Sequence, residues 1–120
     1  IVGMATAGVA PRVMGIGPAP ATLKVLAQTG LTIDHMDVIE LNEAFAAQGL
    51  AVMRMLGLKD DDARVNAWGG AIALGHPLGA SGARIVSTLN NVLHRKGGKY
   101  GMAAICNGGG AASAIIIERM

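Results

Sequence analysis

The stretch from Ser81 to Arg119, SGARIVSTLNNVLHRKGGKYGMAAICNGGGAASAIIIER, decides the fold, because it reads without a break as one helix followed by two strands. Ile85, Leu89, Val92 and Leu93 recur at helical spacing. His94, Arg95 and Lys96 sit at the negative end of the helix dipole, and Gly97 is a stop. Lys99 to Cys106 and Ala111 to Arg119 are apolar, strand-like runs. Between them Asn107-Gly108-Gly109-Gly110 offers small, permissive residues for a tight reversal. The spacing predicts a long amphipathic helix and a C-terminal β-hairpin.

Upstream, the same signals alternate. Val65 to Gly82 has no helical period and holds five glycines, His76 and Pro77, a stretch of the kind that usually carries function. Lys59 to Arg64 reads as a charged surface turn. Before it, Phe45, Gly49, Val52, Met53 and Leu56 form one helical stripe that Gly57 stops. Asp37 to Leu41 is a short strand ending at Asn42, whose side chain suits a helix cap, with Glu43 then in the first turn. Leu23, Leu26 and Ala27 mark a short helix opened by Pro20 and closed by Gly30, and Ile1 to Ala7 is a strand leading into a loop. Strands alternating with helices and ending in a hairpin predict an α/β layer: a mixed, mostly parallel sheet with helices on both faces. There is no repeat or linker, so residues 1–120 are expected to be one domain.

The chain is 52% hydrophobic and 15% charged, against about 25% charged residues in typical soluble domains. A surface covered by further protein is the expected consequence. The apolar runs are broken by glycines, His76 and Pro77, so none reads as a membrane span. A net charge of +2 and three aromatic residues make a poor nucleic-acid surface. Cys106 is the single cysteine and cannot form an internal disulfide, which favours a reducing compartment. The chain opens on Ile1 and a strand, so it is expected to be cut from a longer one.

Three residues are candidates for chemistry. Cys106 stands at a strand end before a glycine turn; a lone cysteine is usually a small buried hydrophobe. Here, though, glycine amides beside the thiol are free to face a developing oxyanion. His76 is held in a Gly75-His76-Pro77 turn, so it is either a positioned histidine or one merely satisfied by backbone. Asn42 taken alone is read as the helix cap. Dinucleotide, phosphate-loop and nucleophile-elbow patterns all fail on spacing, and no Cys/His set matches a metal site.

Three segments in order, Asn42-Glu43-Ala44-Phe45-Ala46, Gly69 through Arg84, and Cys106-Asn107-Gly108-Gly109-Gly110, resemble thiolases, specifically the acetyl-CoA acetyltransferase branch. Ala5 to Val9 and Met14 to Pro18 extend the resemblance over essentially the whole chain. It implies a thiolase-like C-terminal half acting on coenzyme A thioesters, acetyl-CoA among them, by Claisen condensation or its reverse, with no permanently bound cofactor. The acyl-accepting cysteine lies on the amino-terminal half, the implied partner, so this fragment alone is expected to be inert. By resemblance Cys106 is the second cysteine, the acid/base at the Cα of acetyl-CoA. His76 activates the missing nucleophile and donates to the thioester oxygen. Asn42 holds a water as second donor, and the Gly108 amide serves the tetrahedral intermediate. Ala44, Phe45, Gly75 and Pro77 are expected to line the substrate channel. The family further implies two halves packed helix to helix into five layers, a homodimer or homotetramer, and a cytoplasmic setting. The chain departs from the family at Trp68, where an asparagine usually stands. A non-catalytic acyl-CoA-binding or assembly module is the alternative, and a glycine-loop nucleotide-binding domain a third reading that the spacing disfavours.

Overall fold

A computed structural model describes all 120 residues. The elements follow the order β1 (Gly3–Gly8), α1 (Pro18–Thr29), β2 (Val38–Leu41), α2 (Ala46–Met55), α3 (Ala71–Leu74), α4 (Leu78–Lys96), β3 (Tyr100–Cys106) and β4 (Ala111–Glu118). Short 3-10 turns cover Pro11–Ile16, Ile33–His35 and Gly108–Gly110. The four strands form one sheet in the order β1-β4-β3-β2.

The sheet is mixed, as expected, but it is not mostly parallel. Only β2 and β3 run parallel, with Val38 opposite Gly101 and Leu41 opposite Ala104. The β3–β4 and β1–β4 pairs are antiparallel. The reason is the glycine hairpin: it returns β4 along β3, and β1 then adds to the free edge of β4 rather than beside β2. The crossover from β2 through α4 to β3 supplies the length that this parallel pair requires.

Helices cover both faces, as predicted. Against one face lie α1 and α2, enclosing seventeen buried residues that include Val25, Ile39, Val52, Met102 and Ile116. Against the other lies α4, whose Ile85, Leu89, Val92 and Leu93 bury with Val38 and Ala103. Those four side chains are the ones the helical period picked out. Strand alternation explains the division, since Met102 and Ala104 face α1 while Ala103 faces α4. Gly30, Gly57 and Gly97 adopt positive φ at the three helix ends where stops were read.

Two stripes differ from expectation. In α1 the buried residues are Pro18, Ala19, Ala21, Thr22, Val25 and Leu26, whereas Leu23 and Ala27 of the expected stripe are exposed. The helix begins at Pro18, not Pro20. In the α2 stripe Val52, Met53 and Leu56 are buried but Phe45 is 69% exposed, because it precedes the helix in extended backbone.

Candidate active site

Asn42 does not cap α2. The helix starts four residues later, at Ala46, and the cap position is Phe45, which makes no side-chain cap bond. Instead the Asn42 amide N–H donates to Ala104 O at 3.0 Å, continuing the β2–β3 pairing, and its fully buried side chain turns to the α4 face. There Asn42 Nδ2 lies 3.3 Å from His76 Nε2. Residues 34 positions apart in the chain thus become neighbours.

His76 is half-buried and held from its other side. Its Nδ1 lies 2.6 Å from Ser81 Oγ, and that hydroxyl donates to Pro77 O at 3.1 Å. With the hydroxyl proton committed to Pro77, Ser81 accepts from Nδ1–H, which leaves the Nε2 lone pair facing Asn42 Nδ2–H. Gly75 provides the entry: its φ of +93° is open to glycine and strained for other residues, and Pro77 then caps α4. Ser81, expected to start the helix, sits inside its first turn and is wholly buried. Its contact with His76 was not anticipated, although its position four residues after Pro77 was the available signal.

Glu43 was expected in the first turn of α2. It lies before the helix and accepts from Asn66 Nδ2 and from the Ile72 amide, both at 2.9 Å. Its carboxylate rests on Gly70, where an added Cβ would come within 2.2 Å of Glu43 Cδ. Gly70 is therefore required for this approach. Asn66, at φ +47°, accepts from Leu41 N–H and donates to Leu41 O, both at 2.9 Å, so it completes the edge of β2 as a strand would. Together these bonds tie the loop leading to His76 onto the strand carrying Asn42. Beside them a hollow of about 790 Å³ opens between α2 and the loop, with Trp68 half-exposed on its wall.

Beneath Asn42, on the same face of β2, Glu40 is wholly buried. Arg84 Nη1 stands 3.7 Å from Glu40 Oε2, an ion pair too long to be a hydrogen bond. Neither Glu40 oxygen has a hydrogen-bond partner, nor do Arg84 Nε and Nη1 or Asn42 Oδ1. Burial pushes the Glu40 carboxyl up to about 7, against the pull of Arg84 and with some help from Glu43. A charged residue inside the apolar run Val38-Ile39-Glu40-Leu41 was the signal for this group, and it went unread.

Cys106 ends β3 opposite Ala112, only 7% exposed. Alternation puts its sulfur with Met102 and Ala104 on the α1/α2 side, across the sheet rim from Asn42 and His76. The chain thus joins two of the three candidates directly and sets the third on the end of the adjacent strand. Burial raises the thiol above its ordinary value, partly offset by a hydrogen bond from its own backbone. It therefore rests protonated. The turn after it exposes Gly108, while Gly109 and Gly110 take positive φ. Of the expected channel residues, Phe45, Gly75 and Pro77 are exposed and Ala44 partly so.

The comparisons with known proteins point one way. A family model described as "Thiolase, C-terminal domain" matches residues 1–119. The beta-ketoadipyl-CoA thiolase of Acinetobacter baylyi is 62% identical across the whole chain, and the acetyl-CoA acetyltransferase of Syntrophomonas wolfei 53%. The crystal structure of human mitochondrial 3-ketoacyl-CoA thiolase superposes on the entire chain with a TM-score of 0.96 at 51% identity. In each case the chain spans 30% of the other protein's length.

Proposed function

The chain belongs to the thiolase family as its C-terminal domain, and on that premise we propose that it carries the acid/base and oxyanion-binding side of a 3-oxoacyl-CoA thiolase. The observation that supports this most is the bonded series Asn42–His76–Ser81 at the sheet rim, with Cys106 on the neighbouring strand end.

The nucleophilic cysteine comes from the preceding part of the protein. His76 Nε2, unprotonated, takes the proton of that thiol, and the thiolate attacks the C3 carbonyl. The imidazolium so formed holds its new proton toward the thioester oxygen. As the C2–C3 bond breaks, the electron pair becomes the enolate of acetyl-CoA, and the Cys106 S–H supplies the proton to its carbon. A buried, protonated thiol suits this donation. The acyl group left on the nucleophile then passes to the sulfur of a coenzyme A thiol, whose proton returns Cys106 to S–H, and condensation runs the same steps backward. Asn42 steadies the imidazole and, through its unpartnered Oδ1, a water at the oxyanion. The Gly108 amide serves the tetrahedral intermediate. A positioned donor of this kind is worth about 3 kcal/mol.

For the acyl group, a 3-oxoacyl chain of the beta-ketoadipyl kind is the first reading, after the 62% identical relative. The acetyl-CoA C-acetyltransferase type is the second, after the 53% identical relative. A cytoplasmic setting, consistent with a free thiol, and a homodimer or homotetramer of the full-length protein complete the proposal. The 120-residue chain alone should be inert for want of the nucleophile.

The test uses the full-length protein. Cys106→Ser should abolish condensation while acyl-enzyme formation persists as a mass increase; condensation surviving the change removes Cys106 from the acid/base role. Thiolysis of acetoacetyl-CoA by the isolated chain, above buffer, refutes its inertness.

A further inference from the structure

The 3-10 segment Pro11–Ile16 is wedged between the turn after Cys106 and the start of α2. One end is locked by the Val9 N–H donating to Gly110 O at 2.8 Å, and Gly110 presses so closely that an added Cβ would meet Val9 O at 2.1 Å. The other end is Gly17, packed on Ala112, the cross-strand neighbour of Cys106. A pocket of about 420 Å³ opens between this segment and α2, on the Cys106 side of the sheet. Met14, Gly15, Ala44 and Phe45 give it a largely apolar wall, and Gln48 also lines it, with both amide atoms buried and unpartnered. A single charged residue stands in the lining, Arg12. Arg12 is exposed and, like Arg95 at the far end of α4, forms neither a salt bridge nor a side-chain hydrogen bond with any group of the chain, but of these two only Arg12 lines the pocket.

We propose that this pocket takes the acyl portion of a 3-oxoacyl-CoA whose far end is a carboxylate, and that Arg12 binds that carboxylate. The proposal rests on the thiolase reading above and sharpens its substrate class. An apolar wall leading to an unpaired guanidinium matches a short methylene chain ending in an anion. The planar fork of arginine donates to both carboxylate oxygens at once, a geometry that lysine does not reproduce. A neutral acyl chain of equal length fills the same wall but leaves the guanidinium without its counter-charge. The anion could also be a phosphate of coenzyme A, which every acyl-CoA carries. Only the acyl carboxylate distinguishes substrates by their far end.

In the full-length protein, kcat/KM for thiolysis is measured with 3-oxoadipyl-CoA and with 3-oxohexanoyl-CoA, its neutral six-carbon counterpart. Wild type should prefer the first, and Arg12→Ala should shrink the ratio of the two values by roughly 10-fold to 100-fold. Arg12→Lys should recover only part of it. An unchanged ratio overturns the proposal; if both values have then fallen together, Arg12 serves a coenzyme A phosphate. Binding of adipyl-CoA against hexanoyl-CoA by wild type and Arg12→Ala reads the subsite without turnover. Should wild type cleave neither 3-oxo substrate yet Arg12 still set the binding ratio, the catalytic reading fails and the carboxylate subsite stands. Equal binding ratios in the two proteins sink the subsite alone.

Discussion

The two faces of the sheet are built for different ends. Toward α1 and α2 the chain encloses a continuous apolar core of seventeen residues. Toward α4 only six buried apolar residues cluster, and beside them Glu40, Asn42, Ser81 and Arg84 bring polar groups to the interior. Five of the eight buried polar atoms without partners belong to Glu40, Asn42 and Arg84 on this second face. Buried polar atoms left unpaired cost about 1–3 kcal/mol each, so such a concentration marks a place where something other than stability is served. One face holds the domain together. The other carries the polar apparatus, and around the loop that holds His76 the side chains of Ile72, Leu74 and Leu78 are exposed, where a further layer of protein would cover them.

The strongest way to break this contrast is His76→Ala in the full-length protein. Loss of a positioned acid/base should lower kcat by roughly 10²–10⁴-fold with little change in melting temperature, since His76 is only half-buried. A loss under tenfold would remove the chemical meaning of the α4 face.

Next in size are matched core truncations. Ile116→Ala on the α1/α2 face and Leu89→Ala on the α4 face, both fully buried, should each cost about 2–5 kcal/mol by denaturant titration. A far smaller loss at Leu89 would mean that α4 is held by its partners rather than by this sheet.

The smaller effect concerns Glu40 and sharpens the comparison further. Its carboxyl is raised from 4.5 to about 7 in the fold, so the native chain binds its proton more tightly than the unfolded chain does. Stability should therefore be highest below pH 4.5 as far as this group is concerned, and should fall as pH rises to 7, by about 3 kcal/mol in all. Glu40→Gln should flatten that slope in denaturant titrations from pH 5 to pH 8. If the glutamine variant is instead less stable than wild type at pH 8, the Glu40–Arg84 pair is a net stabiliser and its unsatisfied atoms have been overvalued.

Most helices and strands were legible in the sequence because their signals are local. A stripe of apolar side chains, a glycine past the last turn and a basic final turn act within a few residues, and α4 bears all three. The four-residue α3 was not read, being too short for a period to appear. Strand direction was misjudged, since alternation of helix and strand says nothing about which edge β1 will join. At the site, Asn42, His76 and Cys106 could be named from their segments, but the cap reading of Asn42 was mistaken: a local rule was applied where a distant partner prevails.

The sequence by itself determined the family, the helical faces, the glycine stops and the residue types able to move a proton, since each depends on neighbours along the chain or on motif order. Tertiary structure alone decided that β1 closes on β4, that Asn42 meets a histidine 34 residues away while Cys106 faces across the rim, and that Glu40 is buried opposite an arginine it does not quite touch. These are long-range pairings, set by how the layers stack and by the desolvation of whatever lies between them, and no local pattern records them.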